Sequence, residues 1–437
     1  MKPRTVMVIG SGGREHALAR RLAADPEPAR VILAPGNDGA AREFDRREVA
    51  ERDLEGLVSA CAAESPELVV VGPEGPLAAG IADALAARGL AVFGPVAAAA
   101  RLESSKWFAK EVMAEARVPT AAAECFDDAA IAVAALDRFG PPWVLKADGL
   151  AAGKGVCVTS DRAEAEAFAR GCLAESRFGE AGRTLLIERF LEGEEVSVMA
   201  VCDGEDAVLL PAARDFKRAR DGDAGPNTGG MGAFAPAPAL DAAAAAMVRE
   251  RVVLPVLAAL ARRGIRYRGV LYCGLMLTAT GPQVVEFNVR FGDPEAQVIL
   301  PRIGGSLFEL LSAAAGGRVA DVSHAVRPGA TVAVALVDSG YPGSLEGSGI
   351  ITGTERLEPL PGTWMLYAGV REAAVGWRVA GGRAAYVCAE GDSLEEARQR
   401  AYVGVGLLGG TGWRFRRDIA NIRAFAADPS RVKERAW

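Results

Sequence analysis

The sequence runs to 437 residues, 50% apolar and 24% charged, with a formal charge of −6. That balance suits a globular enzyme of three or four domains and not a disordered chain. It also lacks the broad basic face that a nucleic-acid backbone demands, so no nucleic-acid partner is expected. No run approaches the roughly 20 apolar residues that span a bilayer, so no membrane association is expected and a cytoplasmic location is. The 7 cysteines are odd in number, scattered and never spaced Cys-x-x-Cys, the pattern of reduced thiols and not of a disulfide frame or zinc site. With only His16 and His324 available, any metal should be a hard cation held by oxygen.

In chain order, short apolar runs at residues 6–9, 31–33, 68–71 and 91–93 alternate with helical patterns at 15–24, 53–63 and 77–88. This alternation predicts a parallel α/β sheet covered on both faces. Ligands of such sheets lie beyond the C-terminal strand ends. Those ends are Gly10-Ser-Gly12-Gly13-Arg14, Pro35-Gly-Asn37 and Gly72-Pro-Glu74. A helix beginning near Ser104 carries Lys106 and stops before Pro119. A compact α+β stretch follows, with strands at 143–147, 156–159 and 184–188, a loop at 148–155 and a helix at 162–174. Long antiparallel strands are expected at 195–202, 269–277 and 283–290, the last two joined by a turn at Thr280 and Gly281. A helix near 306–315 precedes a linker at 325–329. The final hundred residues read as strand-rich, with a hairpin turn at Gly381 and Gly382 and a helix at 394–407.

Five segments could carry chemistry. Gly10-x-Gly12 begins a dinucleotide fingerprint, but Glu15 holds the third glycine position and no acidic residue closes the second strand. What remains is a glycine turn at a helix N-terminus, a phosphate cradle or a structural turn, with Asn37 and Glu74 converging on the same sheet edge. Asp148-Gly-Leu-Ala-Ala-Gly153-Lys154-Gly155, preceded by Lys146, is a glycine-rich loop between strands and not the P-loop. Only seven of the 50 basic residues are lysine. Two of them in this segment favour a loop that closes over a triphosphate, against an ordinary hairpin. The segment 187–195 could offer Glu188 and backbone groups to an adenine and Glu195 to ribose hydroxyls, or be a solvated acidic loop. Gly225-Pro-Asn-Thr228-Gly229-Gly230-Met231-Gly232 follows Arg214-Asp215-Phe-Lys217-Arg218, a flexible loop beside a cluster suited to anions. In Val285-Glu286-Phe-Asn288-Val-Arg290-Phe291, strand alternation puts Glu286, Asn288 and Arg290 on one face and the apolar residues, Val285 included, on the other. Glu and Asn oxygens suit Mg²⁺, and a guanidinium beside them suits a transferring phosphoryl group.

A lysine at a strand end, a glycine loop with a second lysine, an acidic hinge and a Glu-x-Asn-x-Arg strand resemble the ATP-grasp superfamily. Taken with Gly-x-Gly-Gly-Arg-Glu-His-Ala17, Gly-Pro-Glu74 and Phe-Gly-Asp-Pro-Glu295, the motifs resemble, in order and across the whole chain, the glycinamide ribonucleotide synthetase family. That resemblance implies an N-terminal α/β domain (1–102), an ATP-grasp core in two parts (103–118 and 193–325), a lid (119–192) and a strand-rich C-terminal domain (326–437). It implies ligation of glycine to 5-phosphoribosylamine through glycyl phosphate, with ATP consumed, acting as a monomer on small molecules. Glu286 and Asn288 would hold Mg²⁺ or Mn²⁺. Lys106, Lys146 and Lys154, with Gly153 and Gly155, would meet the ATP phosphates, and Glu188, Phe190 and Leu191 the adenine. Glu195 would meet the ribose. Arg290, Asp215 and Lys217 would be catalytic. Gly10, Gly12, Gly13, Asn37, Glu74, Thr228, Gly229, Gly230 and Met231 would bind the other substrates.

Two positions depart from the family pattern. Phe216 stands where a histidine is usual, and the strand 271–277 offers no second metal carboxylate. Other readings were an ATP-dependent carboxylase of the same superfamily, a nucleotide-dependent oxidoreductase and a non-catalytic ATP sensor.

Overall fold

The computed structural model describes residues 4–151 and 155–421. The apolar runs near the N-terminus form a five-stranded parallel sheet: Asp45–Arg46, Arg30–Pro35, Thr5–Gly10, Leu68–Val71 and Val92–Phe93, in that spatial order. The strand order reverses between Thr5–Gly10 and Leu68–Val71, which opens the crevice beyond Gly10 and Gly72. Both faces are buried. Val6, Val8, Leu33 and Val70 enter a core shared with the C-terminal sheet, and Met7, Ile9, Val69 and Val71 one shared with the central domain. A strand with a side chain needed on each face has no polar positions to spare, hence the continuous apolar runs.

The central domain is a four-stranded antiparallel sheet in the order Ala207–Leu209, Glu194–Cys202, Gly269–Thr278, Gly281–Asn288. The lid is a separate antiparallel sheet, in the order Ala123–Phe126, Leu185–Arg189, Trp143–Ala147, Val156–Thr159. It has its own small core around Leu136, Trp143, Phe168 and Ile187. The largest sheet crosses the expected domain boundary. Arg214–Asp215 and Gly232–Ala235 extend the C-terminal strands Ala330–Asp338, Arg383–Gly391 and Thr363–Tyr367. The chemistry-bearing segment 214–235 is thereby fastened to the C-terminal domain.

Several elements differ from expectation. The helix at 77–88 is two short ones, Glu74–Ala78 and Ile81–Ala86, and the first places Glu74 at its N-terminus. The helix expected from near Ser104 is present as Lys106–Ala116, with the Ser105 side chain capping the Phe108 N–H and Lys106 in its first turn, and a separate helix, Ala97–Ser104, precedes it. The strand Ala123–Phe126 and helix Ala129–Phe139 were not anticipated, because their alanines carry little periodic contrast. Gly381 and Gly382 do not turn a hairpin. They link Trp377–Val379 to Arg383–Gly391, which belong to different sheets.

Candidate active site

The strand Gly281–Asn288 pairs with Gly269–Thr278, Glu286 lying opposite Gly274 and Val284 opposite Leu275. Two residues on one strand against one on the other is a β-bulge, and Val285 is the extra residue. Alternation alone would bury Val285. The bulge instead leaves it half-buried at the cleft, where its carbonyl accepts from Lys146 Nζ at 3.0 Å. Past the bulge the alternation holds: Phe287, Val289 and Phe291 are buried, while Glu286, Asn288 and Arg290 all line the cleft.

Their charges are arranged unevenly. Arg290 is gripped by Glu103 (2.8 Å) and Glu74 (3.3 Å), which hold its guanidinium above its usual pKa against the cost of burial. Glu103 also accepts the Val289 N–H at 2.8 Å, so the helix Ala97–Ser104 locks the strand end. Glu286 makes no hydrogen bond among the described residues. Burial alone would raise its pKa, but Lys217, Lys146, Lys106 and Arg290 keep it below the ordinary carboxylate value. Asn288 Oδ1 shares only a long contact with Arg290, 3.4 Å. An ionised, unengaged carboxylate and an available amide oxygen are the hard donors that Mg²⁺ takes beside substrate phosphates. Among the described residues no group of three His, Cys, Asp or Glu side chains could hold a metal unaided.

Lys106, Lys110 and Lys146 line the same cleft. Lys146 bridges the Val285 carbonyl and Glu188 (2.9 Å), and Lys110 approaches the other Glu188 oxygen at 3.5 Å. Glu188 thus lies between two buried ammonium groups. Lys106 Nζ reaches the carbonyls of Ala147 (2.9 Å) and Gly149 (3.1 Å) at the start of the glycine loop, and burial lowers its pKa. Gly155 lines the cleft, whereas Gly153 and Lys154 lie outside the described residues.

Asp215 and Lys217 also face the cleft, and the residue between them points the other way. Phe216 is 1% exposed, packed 6.2 Å from Phe234 and flanked by the guanidinium groups of Arg214 and Arg416. The ring at the family's histidine position is therefore core and does not touch the cleft. Burial pushes Asp215 up to about 8, against the pull of Lys217 and with help from Glu295 and Glu195. Lys217 ion-pairs with Glu195. Burial would lower the lysine, but the Glu195 and Asp215 charges raise it. Glu195 is engaged by this lysine and, like the exposed Phe190 and the half-buried Leu191, does not line the cleft.

The glycine-rich loops are less open than their sequences suggest. In the loop 225–232, Thr228 N–H donates to the Lys217 carbonyl, Gly229 N–H to Tyr341 Oη, Gly230 N–H to Thr228 Oγ1 and Met231 N–H to the Phe216 carbonyl. Thr228 and Gly229 line the cleft; Gly230 and Met231 do not. At the N-terminal turn, Glu15 folds back so that its carboxylate accepts the Gly12 N–H at 2.7 Å and Arg14 Nε at 2.6 Å. A Cβ on Gly10 would lie 2.6 Å from Glu15 Cγ, and one on Gly72 2.0 Å from Glu15 Oε1. The glycines make room for this buried carboxylate. Gly10, Gly12, Gly13 and Asn37 stay outside the cleft lining. Asn37 instead ties Ser11 and Tyr367 carbonyls together.

One cleft of about 570 Å³ gathers the remainder: Glu74, Lys106, Lys146, Glu188, Asp215, Lys217, Glu286, Asn288 and Arg290 share its walls. Sequence reasoning missed Arg14, Glu103, Lys110, Tyr272, Asp293, Glu295, Tyr341 and Arg383, which line it too. Arg14, Asp293 and Glu295 stood inside quoted motifs. The last two residues stood in none.

Models of the phosphoribosylglycinamide synthetase N domain, ATP-grasp (A) domain and C domain match residues 4–103, 104–296 and 331–422. A phosphoribosylamine–glycine ligase of Phenylobacterium zucineum is 46% identical over 402 residues, 92% of this chain and 95% of its own. The crystal structure of the phosphoribosylamine–glycine ligase of Thermotoga maritima aligns with a TM-score of 0.82 at 33% identity, covering 95% of this chain and 100% of that one. A biotin carboxylase of Campylobacter jejuni, at 15% identity, shares the fold, with a TM-score of 0.73 over 98% of this chain and 96% of that one.

Proposed function

The chain belongs to the phosphoribosylglycinamide synthetase family, and from that premise we propose how its cleft divides the work of the reaction. The reaction is ATP-dependent ligation of glycine to 5-phosphoribosylamine through glycyl phosphate, which yields glycinamide ribonucleotide, ADP and phosphate in purine biosynthesis. The observation that carries the division is the uneven charge of the cleft: Glu286 stands unpaired among four cations, while Arg290 stands paired between two carboxylates.

In this reading Lys106 and Lys146 neutralise the ATP phosphates, and Glu188 orders the hinge beside the base. Glu286 and Asn288 would hold Mg²⁺ or Mn²⁺, whose chemistry there is to screen phosphate charge as the γ-phosphoryl group moves to the glycine carboxylate. Arg290, anchored by Glu103 and Glu74, keeps a fixed orientation and needs no reorganisation as negative charge develops. Lys217 sits beside the same group and remains charged. Asp215, pushed up to about 8 by burial, keeps its proton at neutral pH and is suited to donate a hydrogen bond to an oxygen of the acyl phosphate, while the phosphate that leaves takes up the proton the attacking amine loses. Most of the rate then comes from positioning and charge neutralisation, with no covalent step on the protein.

The same reading has the chain act as a cytoplasmic monomer on small molecules, for which sedimentation gives the direct check. No helix among the described residues is long and apolar enough to cross a membrane. The test of the whole is ADP release measured with each substrate omitted in turn. ADP should require both glycine and phosphoribosylamine, and equal release without either would refute the reading.

A further inference from the structure

The C-terminal domain enters the cleft through residues that belong to no motif. Tyr341 follows the strand Ala330–Asp338 and Arg383 opens the strand Arg383–Gly391. They meet on Gly229. Its N–H donates to Tyr341 Oη at 2.8 Å, and its carbonyl accepts from Arg383 Nη1. The same guanidinium donates to the Asp293 carbonyl at 2.7 Å and to Asp293 Oδ2 at 2.9 Å. The approach is close enough to need glycine. A Cβ on Gly229 would lie 3.2 Å from both Arg383 Cζ and Tyr341 Oη, and one on Gly382 2.5 Å from the Tyr341 ring.

A phenol that accepts one hydrogen bond still has its own proton to donate. The Tyr341 O–H has no acceptor among the described residues, and Tyr341 lines the cleft. Its neighbour Arg383 offers only donors. The free proton is therefore available to an oxygen-bearing ligand at the wall formed by the N- and C-terminal domains. Arg14 of the N domain and Asp293 of the ATP-grasp (A) domain stand at the same wall, whereas Lys106, Lys146 and Glu188 line the cleft elsewhere from the central domain and lid. Asp293 joins the wall to the first domain: it accepts from Tyr386 Oη (2.8 Å) and Gln297 Nε2 (2.6 Å), and its Oδ2 would lie 3.6 Å from a Cβ on Gly12.

We propose that Tyr341 binds substrate, its O–H donating to an oxygen of the phosphoribosyl group, and that Arg383 is the positioning residue fixing Gly229 and Asp293 beside it. This rests on the reaction assigned above, so the parent enzyme is assayed first; ADP release independent of phosphoribosylamine would fault that assignment and not this one. Given a dependent parent, Tyr341→Phe should raise the KM for phosphoribosylamine about tenfold, the weight of one lost hydrogen bond to a charged or polar partner. The KM for ATP and the melting temperature should stay put, and ribose 5-phosphate should inhibit the variant correspondingly less. Arg383→Ala should lower kcat, with partial recovery on adding guanidinium ion, which a purely structural role would not give. A phosphoribosylamine KM changed by less than about twofold, or an equal rise for ATP, overturns the proposal.

Discussion

The turn at residues 10–13 and the strand Gly281–Asn288 both carry residue types suited to charged ligands, yet the fold spends them differently. At the turn, the buried Glu15 carboxylate takes the Gly12 N–H and the Arg14 guanidinium, so the positive end of the helix meets a side chain of its own. At the strand, Glu286 has no hydrogen-bonding partner among the described residues and four cations around it. The first arrangement is satisfied and supports structure. The second is unsatisfied among the described residues, and its charge is balanced only at a distance. Glycine richness therefore marks a close approach, which a side chain can claim as readily as a phosphate.

Three variants test that contrast, in descending order of expected effect. Glu286→Gln should cut Mg-dependent ADP release about a hundredfold or more, since it removes a carboxylate that has no hydrogen-bonding partner among the described residues from a site that relies on charge. Its thermal unfolding should match the parent; full activity would remove Glu286 from the metal site. Glu15→Ala should destabilise the fold by about 3 kcal/mol, because it leaves Arg14 buried without its partner. Urea unfolding measures this, and an unchanged midpoint would mean that the turn is not held by Glu15. Phe216→His should cost about 1–2 kcal/mol for burying a polar ring, with activity per folded molecule preserved. A changed kcat would place position 216 in the chemistry after all.

A pH dependence, read on stability alone, stands outside that order. Asp215 holds its proton in the folded chain to about pH 8, whereas an unfolded aspartate releases it near the ordinary value of 3.8. The unfolded state thus binds fewer protons across this interval, and Asp215 makes stability fall as pH rises from about 4 towards 8. Asp215→Asn should lack that slope. Its urea midpoint should gain on the parent's between pH 5 and 8 and then run parallel to it. A constant difference throughout would show that Asp215 titrates as an ordinary carboxyl.

Much of this was legible before any coordinates. The four N-terminal strands, the lid strands Trp143–Ala147 and Val156–Thr159 and the helix Leu394–Leu407 were found from apolar runs and their glycine or proline ends. The polar face of Glu286, Asn288 and Arg290 followed from a period of two. Local signals failed where a single residue redirected the chain. Val285 is a bulge whose carbonyl meets the distant Lys146, and Gly381–Gly382 passes the chain between sheets.

The sequence by itself determined that a carboxylate, an amide and a guanidinium share one strand face, and that lysines fall in the glycine-rich and charged segments. Chain connectivity and side-chain alternation suffice for that. Only the tertiary structure decided which of those groups are free. Arg290 is neutralised by Glu74 and Glu103, from 216 and 187 residues away, and Glu195 is occupied by Lys217. Tyr341 and Arg383 join the cleft because the segment 214–235 pairs with the C-terminal sheet. Pairing between residues far apart in the chain is set by packing and by the need to satisfy buried charge. Local composition does not record it.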